Sequence, residues 1–235
     1  IRRPPRSTLF PYTTLFRFYV PIPGISGGQK DKLTHAGIYG IDASMRTLGQ
    51  LYETDINYYA RLNFTSLIDI VDTLGGVDVY SELAFQTGKE SGCIVDVQEG
   101  WNHLNGEQAL AFSRERHALA DGDNQRGKNQ QAVLTAMLRK CLSPTMLLKA
   151  GTIMNQVSSE AETNLSQAQI NSLIKYQLNK NATWTIQSVA ATGTNDKGYC
   201  YSSGDKLLFI MDPDEDVVQK IIDLANVLED GESLN

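Results

Sequence analysis

Along this chain, apolar residues three and four apart keep giving way to short stretches where apolar and polar residues alternate, so helices and strands are expected to interleave. The pattern predicts a helix over 32–39 and a second over 42–52, capped by Asp42 and carrying Met45, Leu48 and Leu51 on one side. Residues 56–62 alternate Ile56, Tyr58, Ala60 and Leu62 with Asn57 and Arg61 and read as a strand. A helix over 64–74, closed by Gly75, follows, and then a strand over 77–80. Residues 84–100, broken by Gly88, Gly92 and Gly100, read as a hairpin or mobile loop. Farther on, Val133, Leu134, Met137, Leu138 and Cys141 recur at helical spacing. Ser143 before Pro144 starts a helix with Leu147, Leu148, Ile153, Met154 and Val157. Ser166 and Gln169 have capping-box spacing ahead of Ile170, Leu173, Ile174 and Leu178. Residues 184–190 read as a strand, and Asp212 with Pro213 opens a last helix through Leu228. Helices interleaved with short strands predict a three-layer α/β domain.

One stretch, 101–131, concentrates arginines and amides in an otherwise acidic chain. Within LNGEQALAF, Asn105 is the expected N-cap with Gln108 three residues on, which starts a short helix ending near Phe112. An extended segment is expected next, in which Phe112, Arg114 and Arg116 share one face while Ser113, Glu115 and His117 take the other. Asp121-Gly122-Asp123 then forms a turn with Asp123 as cap of a helix whose first turns carry Arg126, Gln130 and Gln131. Guanidiniums grip phosphate oxygens in pairs, and a helix N-terminus offers unpaired N–H groups, so strand and helix together can hold a pyrophosphate. On spacing alone, the same residues fit a solvated face with ion pairs of about 0 to 1 kcal/mol each equally well.

Composition narrows the picture. With 235 residues, 41% hydrophobic and 20% charged, the chain is ordinary globular material with enough length for one sizeable core. The formal charge is −6, but residues 1–17 carry four arginines and no acid, leaving 17 basic against 27 acidic side chains beyond them, or −10. A field of that sign repels nucleic acid. No run approaches the roughly 18 apolar residues of a membrane helix, and the start lacks the layout of a signal peptide, so the chain as it stands is expected to be soluble. Cys93, Cys141 and Cys200 have no C-x-x-C or zinc-type spacing. Cys141 falls on its helix's apolar stripe and reads as a buried small hydrophobe, and a Cys93–Cys200 disulfide is left open. His35 fits either a place lining a site or a structural role, and neither His103 nor His117 has an evident metal partner.

The run GEQALAFSRERH followed by DGDNQRGKNQQ closely resembles the LytR-CpsA-Psr (LCP) family of bacterial cell-wall glycopolymer transferases. DKLTHAGIYG at 31–40, ARLNFTSLIDIVDTLGGVDV at 60–79 and GWNHLNGEQAL at 100–110 resemble the same family in the same order, so the likeness covers most of the chain from Phe18 onward. Residues 1–17 do not share it and look like translated sequencing-adapter DNA. An artefactual segment 1–17 and an LCP catalytic domain over 18–235, truncated on its N-terminal side, are therefore expected.

The resemblance implies a mixed central sheet within the three-layer α/β domain. It also implies phosphoglycosyl transfer of a polyprenyl-pyrophosphate-linked glycopolymer, of teichoic acid or capsule type, onto a hydroxyl of peptidoglycan at the extracytoplasmic face of the membrane. Carried over position by position, the arginine pair falls on Arg114 and Arg116, with Arg126, Gln130 and Lys32 as further pyrophosphate contacts. Preorganised donors of this kind contribute about 3 kcal/mol each to a transition state that gathers charge. Many members carry another arginine where this chain has Asn129. The implied cofactor is Mg2+ or Mn2+, approached by Asp121 and Asp123, although helix capping is the simpler role for Asp123. The family's membrane helix and acidic strand pair have no counterpart before Phe18, so no catalytic base can be named. The implied lipid channel would be lined by residues such as Ile68, Val71, Met137, Leu138, Leu147 and Leu148, for each of which plain core packing is the simpler role. A non-catalytic polyprenyl-phosphate binder is the alternative that keeps the arginines without the acids. Transcriptional regulation, the third, is opposed by the acidic balance and the lack of a basic recognition helix.

Overall fold

The computed structural model describes residues 17–116, 118, 122–143, 145–146, 161–180, 186 and 188–229. In chain order they form β1 (Tyr19–Pro21), β2 (Lys30–Lys32), α1 (Ile41–Leu51), β3 (Ala60–Leu62), α2 (Phe64–Thr73), β4 (Val77–Ser81), β5 (Phe85–Gln86), β6 (Asp96–Val97) and β7 (Gly100–Leu104). Then come α3 (Gly106–Arg114), α4 (Gly122–Cys141), β8 (Ala161–Thr163), α5 (Gln167–Lys180), β9 (Gly193–Tyr199), β10 (Leu207–Pro213) and α6 (Glu215–Glu229). The α/β interleaving expected from the pattern is present. The chain divides into two units, one running up to Asn57 and resuming at Val189, the other Tyr58–Ser188.

In the first unit, β1 and β2 pair antiparallel with Val20 opposite Asp31, and β9 and β10 pair antiparallel with Phe209 opposite Lys197. A parallel bridge between Phe18 and Met211 joins the two ladders, so the strands run both ways, as a mixed sheet requires. Phe18, Leu33 and Tyr52, each at most 1% exposed, pack with Leu48, Ile221 and Ile222 beside them. The helix expected over 32–39 is a 3-10 helix, Leu33–Tyr39. Gly40, at φ 103°, occupies the N-cap of α1, so Asp42 is not the cap; it sits in the first turn, where its carboxylate suits the positive helix end. Pro213 and Asp212 belong to β10 and do not open α6. Asp214 caps that helix, accepting from the N–H of Asp216 at 3.1 Å and of Val217 at 3.4 Å. β9, with the sequence GTNDKGY, lacks any apolar alternation because it is mostly exposed. Residues 186 and 188–190 are irregular, and the remainder of the strand expected over 184–190 lies outside the described residues.

Asp31, fully buried on β2, ties this unit together. Its Oδ1 accepts from the Lys32 N–H at 2.7 Å and lies 2.6 Å from His35 Nδ1, while its Oδ2 accepts from the Ser202 N–H at 2.8 Å. Burial opposes the charge, but hydrogen bonds from Ser202, His35 and Lys32 outweigh it and hold the carboxyl below the ordinary carboxylate range.

In the second unit, β4 and β7 pair antiparallel, and the strict alternation Val77, Val79 and Ser81 inward, Asp78 and Tyr80 outward, follows from period-two geometry. On the outer face, Tyr80 and Trp101 meet edge to face at 5.5 Å, and Asp78 Oδ1 lies 2.7 Å from His103 Nδ1. The region 84–100 is a hairpin, β5 with β6, around a 3-10 turn at Lys89–Ser91. Only Ala60–Leu62 of the strand expected over 56–62 is paired, with β8. Asn63 caps α2 by accepting from the Ser66 N–H at 2.8 Å, and α2 ends at Leu74 with Gly75 and Gly76 both at positive φ, 74° and 83°. The Ser166/Gln169 capping box of α5 is formed in both directions, at 2.8 Å and 3.3 Å.

The core of this unit gathers Val71, Leu74, Val77, Val79 and Phe112 with Val133, Ala136 and Met137 of α4. Val71 and Met137 are thus core residues, Ile68 and Leu138 are half-buried, and Leu147 and Leu148 lie outside the described residues, as does most of the helix expected after Pro144. The buried face of α4 ends before Cys141, which is exposed and not a core hydrophobe. All three cysteines are free, Cys93 half-buried and Cys200 buried, so Cys93 and Cys200 are not paired. Among the described residues no helix is long and apolar enough to cross a membrane.

Two predictions follow from these contacts. At Gly106, the first residue of α3, an added Cβ would strike the Ile68 backbone of α2, and the Gly106 N–H is fixed to Asp72 Oδ1 at 2.8 Å. Gly106→Ala should therefore lower the unfolding free energy in urea by about 1 to 3 kcal/mol; an unchanged midpoint would contradict the close approach. Because the folded Asp31 carboxyl titrates below its unfolded value of 3.8, its stabilisation is complete well above that value and fades as pH falls through the folded one. The stability gap between wild type and Asp31→Asn, read by thermal melts, should be widest near neutrality and close in strong acid.

Candidate functional site

The arginine segment departs from the extended geometry expected of it. α3 starts on the predicted capping box, with Asn105 accepting from the Gln108 N–H and Gln108 Oε1 accepting from the Asn105 N–H, both at 3.0 Å. It runs past Phe112 to Arg114, and no strand follows among the described residues. Arg114 is the last helical residue and Arg116 lies beyond the end, so the two do not share a strand face.

Glu115 supplies the physical reason. Its side chain is 1% exposed and points inward, not to solvent. Oε2 accepts from the Gly88 N–H at 2.6 Å and from Ser91 Oγ at 3.0 Å, binding the 3-10 turn of the β5–β6 hairpin. Oε1 accepts from the N–H groups of Arg116 at 2.9 Å and Ala118 at 3.0 Å. A buried carboxyl group is costly unless its lone pairs are met, and these four donors meet them while fixing the backbone beneath Arg116.

Arg114 is half-buried, its guanidinium carbon 4.9 Å from the ring centroid of Phe64 at the start of α2. A cation over an aromatic face is held by the ring quadrupole, so the guanidinium is steered while its N–H edges stay open to further partners. Arg116 is exposed.

α4 begins at Gly122, which places Asp123 inside the first turn and not at the cap. Its side chain, and all of Asp121 and His117, lie outside the described residues. Arg126 and Gln130, four apart, share one face of α4. Arg126 Nε and Gln130 Oε1 are buried, and the Gln130 oxygen has no hydrogen-bond partner among the described residues. Such an oxygen costs about 1 to 3 kcal/mol until a donor reaches it, which suits a group that meets a ligand or a water.

Between them stands Asn129, 2% exposed. Its Nδ2 donates to the Phe112 carbonyl at 3.1 Å, and its Oδ1 accepts from Gln125 Nε2 at 3.0 Å. The Phe112 carbonyl is one of those a helix end leaves unpaired, so Asn129 joins α4 to the last turn of α3, two residues before Arg114. Arg114 on α3, and Arg126 and Gln130 on α4, thus belong to two helices of this unit that are joined at Asn129. Lys32 belongs to the other unit, half-buried at the end of β2.

Sequence reasoning passes over Glu115 and Phe64 as site residues. Glu115 reads as one more alternating polar residue, and Phe64 as an ordinary first apolar position. Only the departure at Asn129 from the arginine common in resembling chains was a signal.

For a divalent cation, the described residues bring together one group of three possible ligands, Asp31, His35 and Cys200, whose ligating atoms lie within 4.8 Å of one another. A thiol and an imidazole do not suit Mg2+, which demands oxygen.

Comparisons with known proteins identify the family and the fold. The chain is 33% identical over 147 residues to the polyisoprenyl-teichoic acid–peptidoglycan teichoic acid transferase TagU of Bacillus cereus, covering 62% of this chain and 47% of that protein. The chain thus spans about half the length of the curated relatives it matches. Among solved structures, B. subtilis TagV superposes with a TM-score of 0.73 at 24% identity, over 93% of this chain and 82% of TagV. A structure of TagT bound to LIIa-WTA superposes with a TM-score of 0.68 at 27% identity, over 91% of this chain and 76% of TagT. The family model described as LytR_cpsA_psr family matches residues 17–211, and the chain belongs to that family.

Proposed function

We propose that this chain binds a polyprenyl-pyrophosphate-linked glycopolymer of teichoic acid or capsule type and transfers it, with one phosphate, to a hydroxyl of peptidoglycan at the extracytoplasmic face of the bacterial membrane. The observation that carries the reading is the joint at Asn129: it fastens α4, which carries Arg126 and Gln130, to the last turn of α3, which ends at Arg114. Relatives named as teichoic acid transferases, and TagT with LIIa-WTA bound, supply the substrate class.

In this reading the guanidiniums of Arg114, Arg116 and Arg126 neutralise the pyrophosphate and stabilise the charge that grows on the departing lipid phosphate. Gln130 meets one oxygen through its amide. Lys32 is proposed as a further phosphate contact. Mg2+ or Mn2+ belongs to the same proposal, with Asp121 and Asp123 as its nearest carboxylates by chain position; when bound it would neutralise phosphate charge.

A second reading, retention of polyprenyl phosphate without transfer, is favoured by one specific observation. Glu115, the carboxylate between Arg114 and Arg116, is 1% exposed and already accepts four hydrogen bonds, so it is poorly placed to take a proton from an acceptor hydroxyl.

Binding and turnover separate the two. Arg116→Ala and Arg126→Ala should each weaken binding of a polyprenyl-pyrophosphate glycan about 10- to 100-fold, whichever reading holds. Release of lipid phosphate with labelling of peptidoglycan oligomers in Mg2+, abolished by EDTA, supports transfer; retention without release supports the second reading, and full binding by both variants sinks both. Glu115→Gln places an amide N–H2 against donors and should cost about 1 to 3 kcal/mol in urea unfolding while weakening glycan-lipid binding as well. Unchanged stability would contradict the positioning role of Glu115.

A further inference from the structure

Outside the arginine site, the first unit gathers three side chains whose chemistry the proposed transfer does not use. Asp31 on β2, His35 four residues on in the 3-10 helix Leu33–Tyr39, and Cys200 just before the 3-10 turn Tyr201–Ser203 point their ligating atoms at one spot, all within 4.8 Å of one another. Asp31 is 0% and Cys200 2% exposed, while the His35 side chain keeps 22% of its surface in water. A thiol, an imidazole and a carboxylate from three separate segments are the donors a borderline-soft ion selects.

We infer that Asp31, His35 and Cys200 form a binding site for a single zinc-type transition-metal ion. The shell around the ligands is already built. Backbone N–H groups of Lys32 and Ser202 hold the two Asp31 oxygens at 2.7 Å and 2.8 Å, which fixes the carboxylate as outer partners fix ligands in metal sites. Ser202 Oγ lies 2.8 Å from His35 Nδ1, so a hydroxyl or a water is at hand for the fourth position. Tetrahedral coordination sets ligand atoms roughly 3.3 to 3.7 Å apart. The present 2.6 Å between Asp31 Oδ1 and His35 Nδ1 lies below that range, and the outer limit of 4.8 Å lies above it. Adjustments of about an ångström close the site.

The exchange balances. Without metal, His35 Nδ1 lies 2.6 Å from the Asp31 carboxylate, and the Cys200 sulfur is within 4.8 Å of both. On binding, Cys200 gives its proton to solvent and coordinates as thiolate, and His35 carries its proton on Nε2 and offers the Nδ1 lone pair. No oxidant or reductant enters. A dication with one thiolate, one carboxylate and a neutral imidazole sums to zero charge, which a buried site tolerates where a bare carboxylate needs every available donor. The ion would pin the corner after β9 to β2 and its following 3-10 helix, segments 165 or more residues apart in sequence.

The test uses the full chain with Cys93→Ser and Cys141→Ser, so that Cys200 is the sole thiol. After chelation, Co2+ titration should give an intense near-ultraviolet thiolate charge-transfer band saturating at one ion per chain, and Zn2+ should displace it. Zn2+ at a hundredfold excess over Kd should raise Tm by roughly 5 °C, whereas Mg2+ should not. Cys200→Ser should abolish the band, and His35→Gln should weaken Zn2+ binding by at least about tenfold, with melts in EDTA confirming that each variant folds. A Co2+ spectrum with no thiolate band, or a band that survives in Cys200→Ser, overturns the assignment.

Discussion

A helix that ends inside a protein leaves its last carbonyls without donors, and the second unit of this chain is arranged around the way α3 meets that constraint. Asn129, reaching across from α4, answers the carbonyl of Phe112. Glu115 then gathers the N–H groups that come after the helix and fastens the chain to the β5–β6 hairpin. Both devices bind backbone groups of the joint directly, one through an amide and the other through a carboxylate. Arg114, Arg116 and Arg126 stand along the segments that these two devices hold in place, and guanidiniums are the groups suited to recognising a polyanion.

Much of the fold was legible because local rules and tertiary packing coincide. The caps at Asn105 and Ser166, the alternation in 77–80 and the apolar face of α2 each follow from short-range chemistry, and each recurs in the structure. Reading failed where one residue satisfies a distant partner. The alternation Arg114, Glu115, Arg116 imitates a strand, yet Glu115 is drawn inward by Gly88 and Ser91, more than twenty positions earlier in the chain. β9 escaped notice for the opposite reason: its residues are polar and exposed, and its pairing with β10, not burial, makes it a strand.

For the site, sequence resemblance identified the residue types and the family, whereas spacing could not decide between a solvated strand and an anion clamp. The structure replaces the expected strand with a helix end and an adjacent helix. That arrangement relies on fewer backbone contacts to the arginines than a strand would, and more on the polar residues between them. The first unit shows the same economy, with one buried carboxylate, Asp31, serving three segments at once.

The burial of Asn129 has a consequence for how this chain can diverge. The residue is 2% exposed, and its carboxamide already engages a main-chain oxygen on one side and the Gln125 amide on the other. A longer or charged side chain here would give up both contacts and displace the packing around them, so the position is closed to such an exchange for as long as the joint between α3 and α4 is kept.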